Sequence, residues 1–127
     1  MGTRFMCTLE APIHHGIKRT MVDAKETDTA ILLRRWKNSV RLFNNEVAKE
    51  AAKIEKTSAD GKFEEVAPYV SGKRGRQVYS NGDRDFGVWS VGQAIGSIQD
   101  VPTCAELLER IESEGMDTIG RLRSLMI

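Results

Sequence analysis

The sequence predicts a predominantly α-helical chain with at most traces of strand. Three observations carry that expectation. Trp36, Val40, Phe43, Val47, Ala51 and Ile54 recur at steps of four and three, the spacing of one buried helical face. Ile13, Ile17, Met21 and Ala24 form a second stripe of the same kind. Thr103 and Glu106, just after Pro102, match the Ser/Thr-x-x-Glu pattern in which side chains close the first turn of a helix.

Residues 3–9 mix apolar and polar side chains and read as the end of a strand or the start of a loop. Pro12 suits a first helical position, so the first helix is expected over 12–26. Thr27-Asp28-Thr29 breaks it, because short polar side chains compete for backbone hydrogen bonds. Ala30 to Leu33 is too short to assign between strand and helix. The second helix is expected from Trp36 to Ile54, with Lys37, Arg41, Asn45, Glu46, Lys49, Glu50 and Lys53 on its wet face. Thr57-Ser58-Ala59-Asp60-Gly61 ends it. Phe63 to Val70 reads as a short helix limited by Pro68.

Residues 71–100 hold six of the 11 glycines, interleaved with Tyr79, Phe86 and Trp89. Glycine-rich backbone among aromatics predicts close approach to another surface or a ligand. The last helix carries Leu107, Leu108, Ile111, Ile119, Leu122 and Met126, with Gly115 and Gly120 weakening its middle by about 1 kcal/mol each relative to alanine.

Charge and composition exclude several roles. Nineteen Lys and Arg against 18 Asp and Glu leave a formal charge of +1, without the basic surplus of a nucleic-acid binder. No run of 18 apolar residues is present to span a membrane, and the N-terminus has no secretory h-region. Cys7 and Cys104, widely spaced, fit small buried hydrophobes in a reducing cytoplasm rather than a disulfide framework. Adjacent His14 and His15 point about 100° apart on a helix and find no further ligand at metal spacing, so a surface role at a helix start is expected and no metal site. Lys73-Arg74-Gly75-Arg76 reads as a solvated loop or an ion-pairing segment rather than an RNA patch. Trp36 and Phe43 are expected in the core.

Four stretches carry a resemblance. These are Gly2-Thr3-Arg4-Phe5, the run Val70 to Tyr79, Gly82-Asp83-x-Asp85-x-Gly87-x-Trp89-Ser90 with Gly92 and Gly96 beyond, and Asp100-x-Pro102-x-Cys104-Ala105-Glu106-Leu107-Leu108. Together they resemble the C-terminal region of flavin-dependent nitronate monooxygenases (2-nitropropane dioxygenases). They are equally similar to related NADH:quinone reductases, and more loosely to flavin-dependent enoyl-acyl-carrier-protein reductases. The resemblance implies the α/β TIM-barrel family with only its C-terminal fragment in hand. Such a barrel takes about 250 residues, against 127 here. Residues 1–34 would be the end of the last barrel strand and the following helix, and 35–127 a helical C-terminal subdomain.

The implied activity is FMN-dependent oxidation of alkyl nitronates by O2 to a carbonyl compound and nitrite. The alternatives are NADH:quinone reduction on the same scaffold and a non-catalytic helical module that acts by association. In the intact family the Gly-Thr step contacts the FMN phosphate, which here means Gly2 and Thr3. The Trp-Ser step lies beside the flavin, which makes Ser90 a candidate pocket hydroxyl, with Tyr79 at the pocket mouth. The family's catalytic histidine belongs to an earlier barrel segment, and neither His14 nor His15 matches it. The segment alone is therefore expected neither to hold FMN tightly nor to turn over without the missing barrel portion.

Overall fold

In order along the chain, the computed structural model contains α1 (Gly2–Met6), α2 (His15–Asp23), β1 (Thr29–Leu32), β2 (Val40–Phe43), α3 (Glu46–Thr57), α4 (Phe63–Val66), α5 (Gly72–Asn81) and α6 (Cys104–Leu125). Short 3₁₀ turns lie at Arg34–Trp36 and Gln93–Ser97. The structure describes residues 1–126. Helix predominates, as expected, and the described strands form one two-stranded antiparallel sheet pairing Thr29 with Phe43 and Leu32 with Val40.

Four expectations change. The single helix from Trp36 to Ile54 is a turn, a strand and a helix instead. Leu33 and Lys37 adopt left-handed backbone, with φ of 63° and 55°, which no α-helix accommodates. The Glu55 carboxylate holds this corner by accepting from the Leu33 and Arg35 amides at 2.8 and 2.9 Å. Helix α3 starts afresh at Asn45, whose side chain accepts from the Ala48 amide. Next, α2 covers only His15–Asp23, because the N-cap is His14 and not the residue before Pro12; its Nδ1 accepts from the Gly16 amide at 3.0 Å. Third, residues 3–9 begin as helix, with the Arg4 and Phe5 amides turning back on the Met1 carbonyl at 3.2 and 3.4 Å. Finally, Lys73-Arg74-Gly75-Arg76 is part of α5 and not a loop.

Two apolar clusters meet at β2. Phe43 joins Ile17, Met21, Val78, Trp89, Ile95 and Cys7, while Leu42 joins Leu32, Ala48, Ala51, Val66 and Val88. Adjacent strand residues point to opposite faces, so one short strand serves both clusters. Trp36 is only half-buried; it meets Phe63 edge-on at 5.7 Å and donates from its indole to the Gly61 carbonyl. Cys7 is fully buried, and burial pushes its thiol pKa up. Cys104 is part-exposed instead, at the first turn of α6.

The segment Trp89–Val91 lies along β2: the Phe43 amide donates to the Trp89 carbonyl at 3.0 Å and the Val91 amide to the Arg41 carbonyl at 3.4 Å. Helix α5 presses on Val88, just before that segment. A Cβ built on Gly75 would lie 2.6 Å from the Val88 carbonyl oxygen, so only glycine permits this approach. Asn45, 4% exposed, ties α3 to the same stretch by donating to the Arg84 and Gly87 carbonyls.

The capping box of α6 forms as the sequence predicts. Thr103 accepts from the Glu106 amide, and Glu106 accepts from the Thr103 amide. Glu10 adds a second acceptor, its carboxylate meeting the Cys104 amide at 3.0 Å. Asp100 sits between the guanidinium groups of Arg4 and Arg110, joining α1 to α6. Buried Lys18 reaches the Leu9 and Ala11 carbonyls and holds the chain between α1 and α2. Beyond Ile111 the face of α6 is open: Met116, Ile119, Leu122 and Leu125 are all exposed.

Candidate functional site

Two concavities flank the segment Ser90–Gly92. The first is a groove of about 390 Å³ between the hairpin and α5. Val40, Leu42, Val88 and Trp89 make its apolar wall, and Gly72, Gly75, Arg76 and Tyr79 line it from one face of α5 at helical spacing. Ser90 completes the rim.

Here the structure brings Tyr79 and Ser90 together through the backbone. The Tyr79 hydroxyl accepts from the Ser90 amide at 3.2 Å and donates to the Ser90 carbonyl at 3.5 Å. Burial pushes the phenol pKa up, partly offset by the hydrogen bond to the Ser90 carbonyl, so the hydroxyl stays protonated at neutral pH. Its ring stands edge-on to Trp89 at 6.4 Å, and Trp89 stacks on Phe43 at 4.6 Å. Tyr79 is thus locked by packing, while the Ser90 side chain is exposed at the rim.

The second concavity, about 450 Å³, is lined by Met1, Gly2, Thr3 and Arg4 on one side and by Gly92, Gln93, Ala94 and Ile98 on the other. Gly2 and Thr3 occupy the first turn of α1, where amides precede the first helical acceptor and remain available to an incoming anion. A Cβ at Gly2 would meet nothing within 4 Å. The Thr3 hydroxyl oxygen accepts from the Gly92 amide at 2.9 Å and keeps its own proton to donate. Arg4 is turned away toward Asp100. Two amides and one hydroxyl fit one side of a phosphate, with no cation from this chain among the described contacts.

The sequence alone does not mark Gly92 as a site residue, yet its amide joins the Thr3 corner to the extended segment that bears Ser90. Arg76 was read as one of a solvated run. Its place in the groove follows from its helical spacing to Gly72 and Tyr79, a signal that needs α5 to be recognised first. His14 and His15 are exposed at the start of α2, and among the described residues no cluster of three metal-capable side chains occurs.

The fold defined by these elements is that of a segment of a larger known architecture. FabK from Thermotoga maritima superposes with a TM-score of 0.89 at 25% identity, over 99% of this chain and 39% of that one. A methionine-to-alanine mutant of the same protein gives 0.77 at 25% identity, over 99% and 35% respectively. A family model for nitronate monooxygenase matches residues 1–114, and the chain belongs to that family. It spans about two-fifths of the length of the FabK structure it matches. No helix among the described residues is long and apolar enough to cross a membrane.

Proposed function

We propose that this chain forms the C-terminal portion of an FMN-dependent oxidoreductase of the cytoplasm that oxidises alkyl nitronates with O2 to a carbonyl compound and nitrite. The observation that carries the proposal is the Gly92–Thr3 hydrogen bond, in a chain matched to the family over residues 1–114. That bond couples the amides suited to a phosphate to the segment carrying Ser90. FMN, when bound, supplies the redox chemistry.

In this reading Gly2 and Thr3 donate to one side of the FMN phosphate, and the rest of the phosphate site comes from the remaining barrel. The Ser90 hydroxyl donates to a substrate oxygen at the groove rim. Tyr79 holds the Ser90 backbone in place from behind, and the apolar wall around Trp89 takes the alkyl chain and excludes water. The catalytic histidine comes from the barrel portion.

NADH:quinone reduction on the same scaffold is the second reading, favoured by the same apolar groove. Association with a separate barrel-bearing chain is supported by the open apolar face of α6 beyond Ile111.

The test supplies the chain with the part of the FabK barrel beyond the matched 39% and measures bound flavin, nitrite release from propyl-1-nitronate under O2, and NADH-dependent quinone reduction. Flavin retention with nitrite release is expected. Quinone reduction without nitrite moves the assignment to the second reading. A colourless complex refutes both, and stoichiometric flavin on the 127-residue chain alone refutes its dependence on a barrel.

A further inference from the structure

Arg76 is the one charged side chain lining the groove between the hairpin and α5. Arg74, two residues earlier on α5, is otherwise engaged. Arg74 donates to the Phe86 carbonyl at 2.7 and 3.0 Å and lies over the Phe86 ring, on the other flank of the helix. Among the described residues the Arg76 guanidinium has no ion pair or hydrogen bond, and no acidic side chain lines the groove. An unengaged guanidinium at the rim of an apolar trough offers a planar, permanently charged fork to a carboxylate-like anion.

We propose that Arg76 anchors the anionic head of the groove's ligand, while a short apolar chain lies along Val40, Leu42 and Trp89. The class selected is a small amphiphilic anion, a carboxylate or its isostere on a short alkyl chain, in preference to a neutral molecule of the same shape. Arg76 then sets specificity and takes no part in the chemistry. The proposal rests on reading this groove as the substrate pocket. It is independent of whether flavin binds at Gly2 and Thr3.

The geometry supports the length of chain as well as the charge. Gly72, one turn before Arg76, and the adjacent Gly75 leave the α5 wall without side chains, so the trough stays open beside the guanidinium. Tyr79, one turn further on, closes the other end with a hydroxyl already committed to the Ser90 backbone. Beside the Ser71 and Ser90 hydroxyls, the charged donor at this rim is therefore Arg76.

The test is titration of the 127-residue chain with sodium hexanoate and, in parallel, with hexanamide, followed by amide NMR shifts at residues 76, 79 and 90. Hexanoate is expected to saturate and to bind about tenfold more tightly than hexanamide, the scale of one charge-assisted hydrogen-bonded pair. R76M should remove that preference and leave hexanamide binding unchanged, and R76K, which keeps the charge without the planar fork, should retain only part of it. Arg76 is exposed and unpaired, so R76M should melt with the parent, which separates lost recognition from lost folding. Equal binding of acid and amide, unchanged hexanoate affinity in R76M, or no saturable shift with either probe each overturn the proposal. A flavin-free complex in the complementation assay with anion selectivity intact would refute the FMN reading and leave Arg76 standing.

Discussion

Gly75→Ala and Gly72→Ala put the same methyl group on the same helix and should move stability in opposite directions. At Gly72 the added Cβ meets nothing within 4 Å. Replacing glycine by alanine there restricts the unfolded chain and stabilises by about 0.5 kcal/mol. At Gly75 the new Cβ would lie 2.6 Å from the Val88 carbonyl oxygen, a backbone atom that cannot swing aside. Ordinary contact begins near 3.4 Å, so α5 must retreat by roughly 0.8 Å from Val88. Overpacking of this kind costs about 1–3 kcal/mol, and the helix-propensity gain of roughly 1 kcal/mol recovers only part of it. The net expectation is a loss of up to about 2 kcal/mol for Gly75→Ala, placing the two variants roughly 0.5–2.5 kcal/mol apart. Urea unfolding followed by circular dichroism measures that gap directly, and the thermal midpoints should separate by several degrees. Retreat of α5 also pulls Tyr79 from Ser90, so the Ser90 amide resonance should shift in Gly75→Ala and not in Gly72→Ala. Stability of Gly75→Ala equal to or above that of Gly72→Ala would refute the close approach on which the groove's shape depends.

Asn45→Ala removes an N-cap and two buried donors, and should cost about 2–3 kcal/mol by urea denaturation; a change under 0.5 kcal/mol would refute its bracing role. Leu122→Asp, on the open face of α6, should leave the stability of the chain within about 0.5 kcal/mol, whereas fully buried Ile95→Ala should cost about 2–5 kcal/mol in the same measurement. The start of α6 should loosen in acid. Glu10 is held below the usual carboxylate range by the Cys104 amide, Glu106 by the Thr103 amide, and Asp100 by Arg110. Groups with depressed folded pKa values stabilise above the unfolded values and lose that contribution as pH falls through the folded ones. Protection factors of the amides at residues 104–107, taken relative to the unstructured exchange rate at each pH, should therefore fall below about pH 4, and Glu10→Gln should already lower them at pH 7; protection that is flat with pH would refute the carboxylate caps.

Which parts of this fold were legible follows from how local their causes are. The α6 start is written in four residues, Thr103 to Glu106, and forms as read because both partners of the box lie within one turn. The stretch Trp36 to Ile54 misled because its apolar steps of four and three fit a helix that the backbone does not make. Leu42 and Phe43 are buried on opposite sides of a strand between separate clusters, with Val40 half-buried beside Leu42, and that burial hides the alternation expected of a one-sided strand. What decides against helix is the left-handed backbone at Leu33 and Lys37. Its support comes from Glu55, 22 residues beyond Leu33, outside any local window. The true start of α3 was visible in principle, since Asn45 is a strong N-cap residue with Glu46 in the first turn.

The candidate site divides along the same line. Gly2, Thr3, Tyr79 and Ser90 were reached through the resemblance, whereas the bonds that organise them are between distant residues. Thr3 meets Gly92 across 89 positions, and Tyr79 meets Ser90 only because Gly75 lets α5 lie against Val88. Glycine-rich composition over 71–100 foretold close approach without saying to what. Within that stretch Gly75 faces backbone of the same chain while Gly72 faces open space, and Gly2, outside the stretch, faces open space as well. A glycine facing its own chain is a packing requirement that any folded form must satisfy. A glycine facing outward, as Gly2 and Gly72 both do, does nothing for this chain's own packing, so a side chain added there can disturb only what approaches from outside. On that difference, Gly2 rather than Gly75 is the position where loss of function should part company from loss of stability.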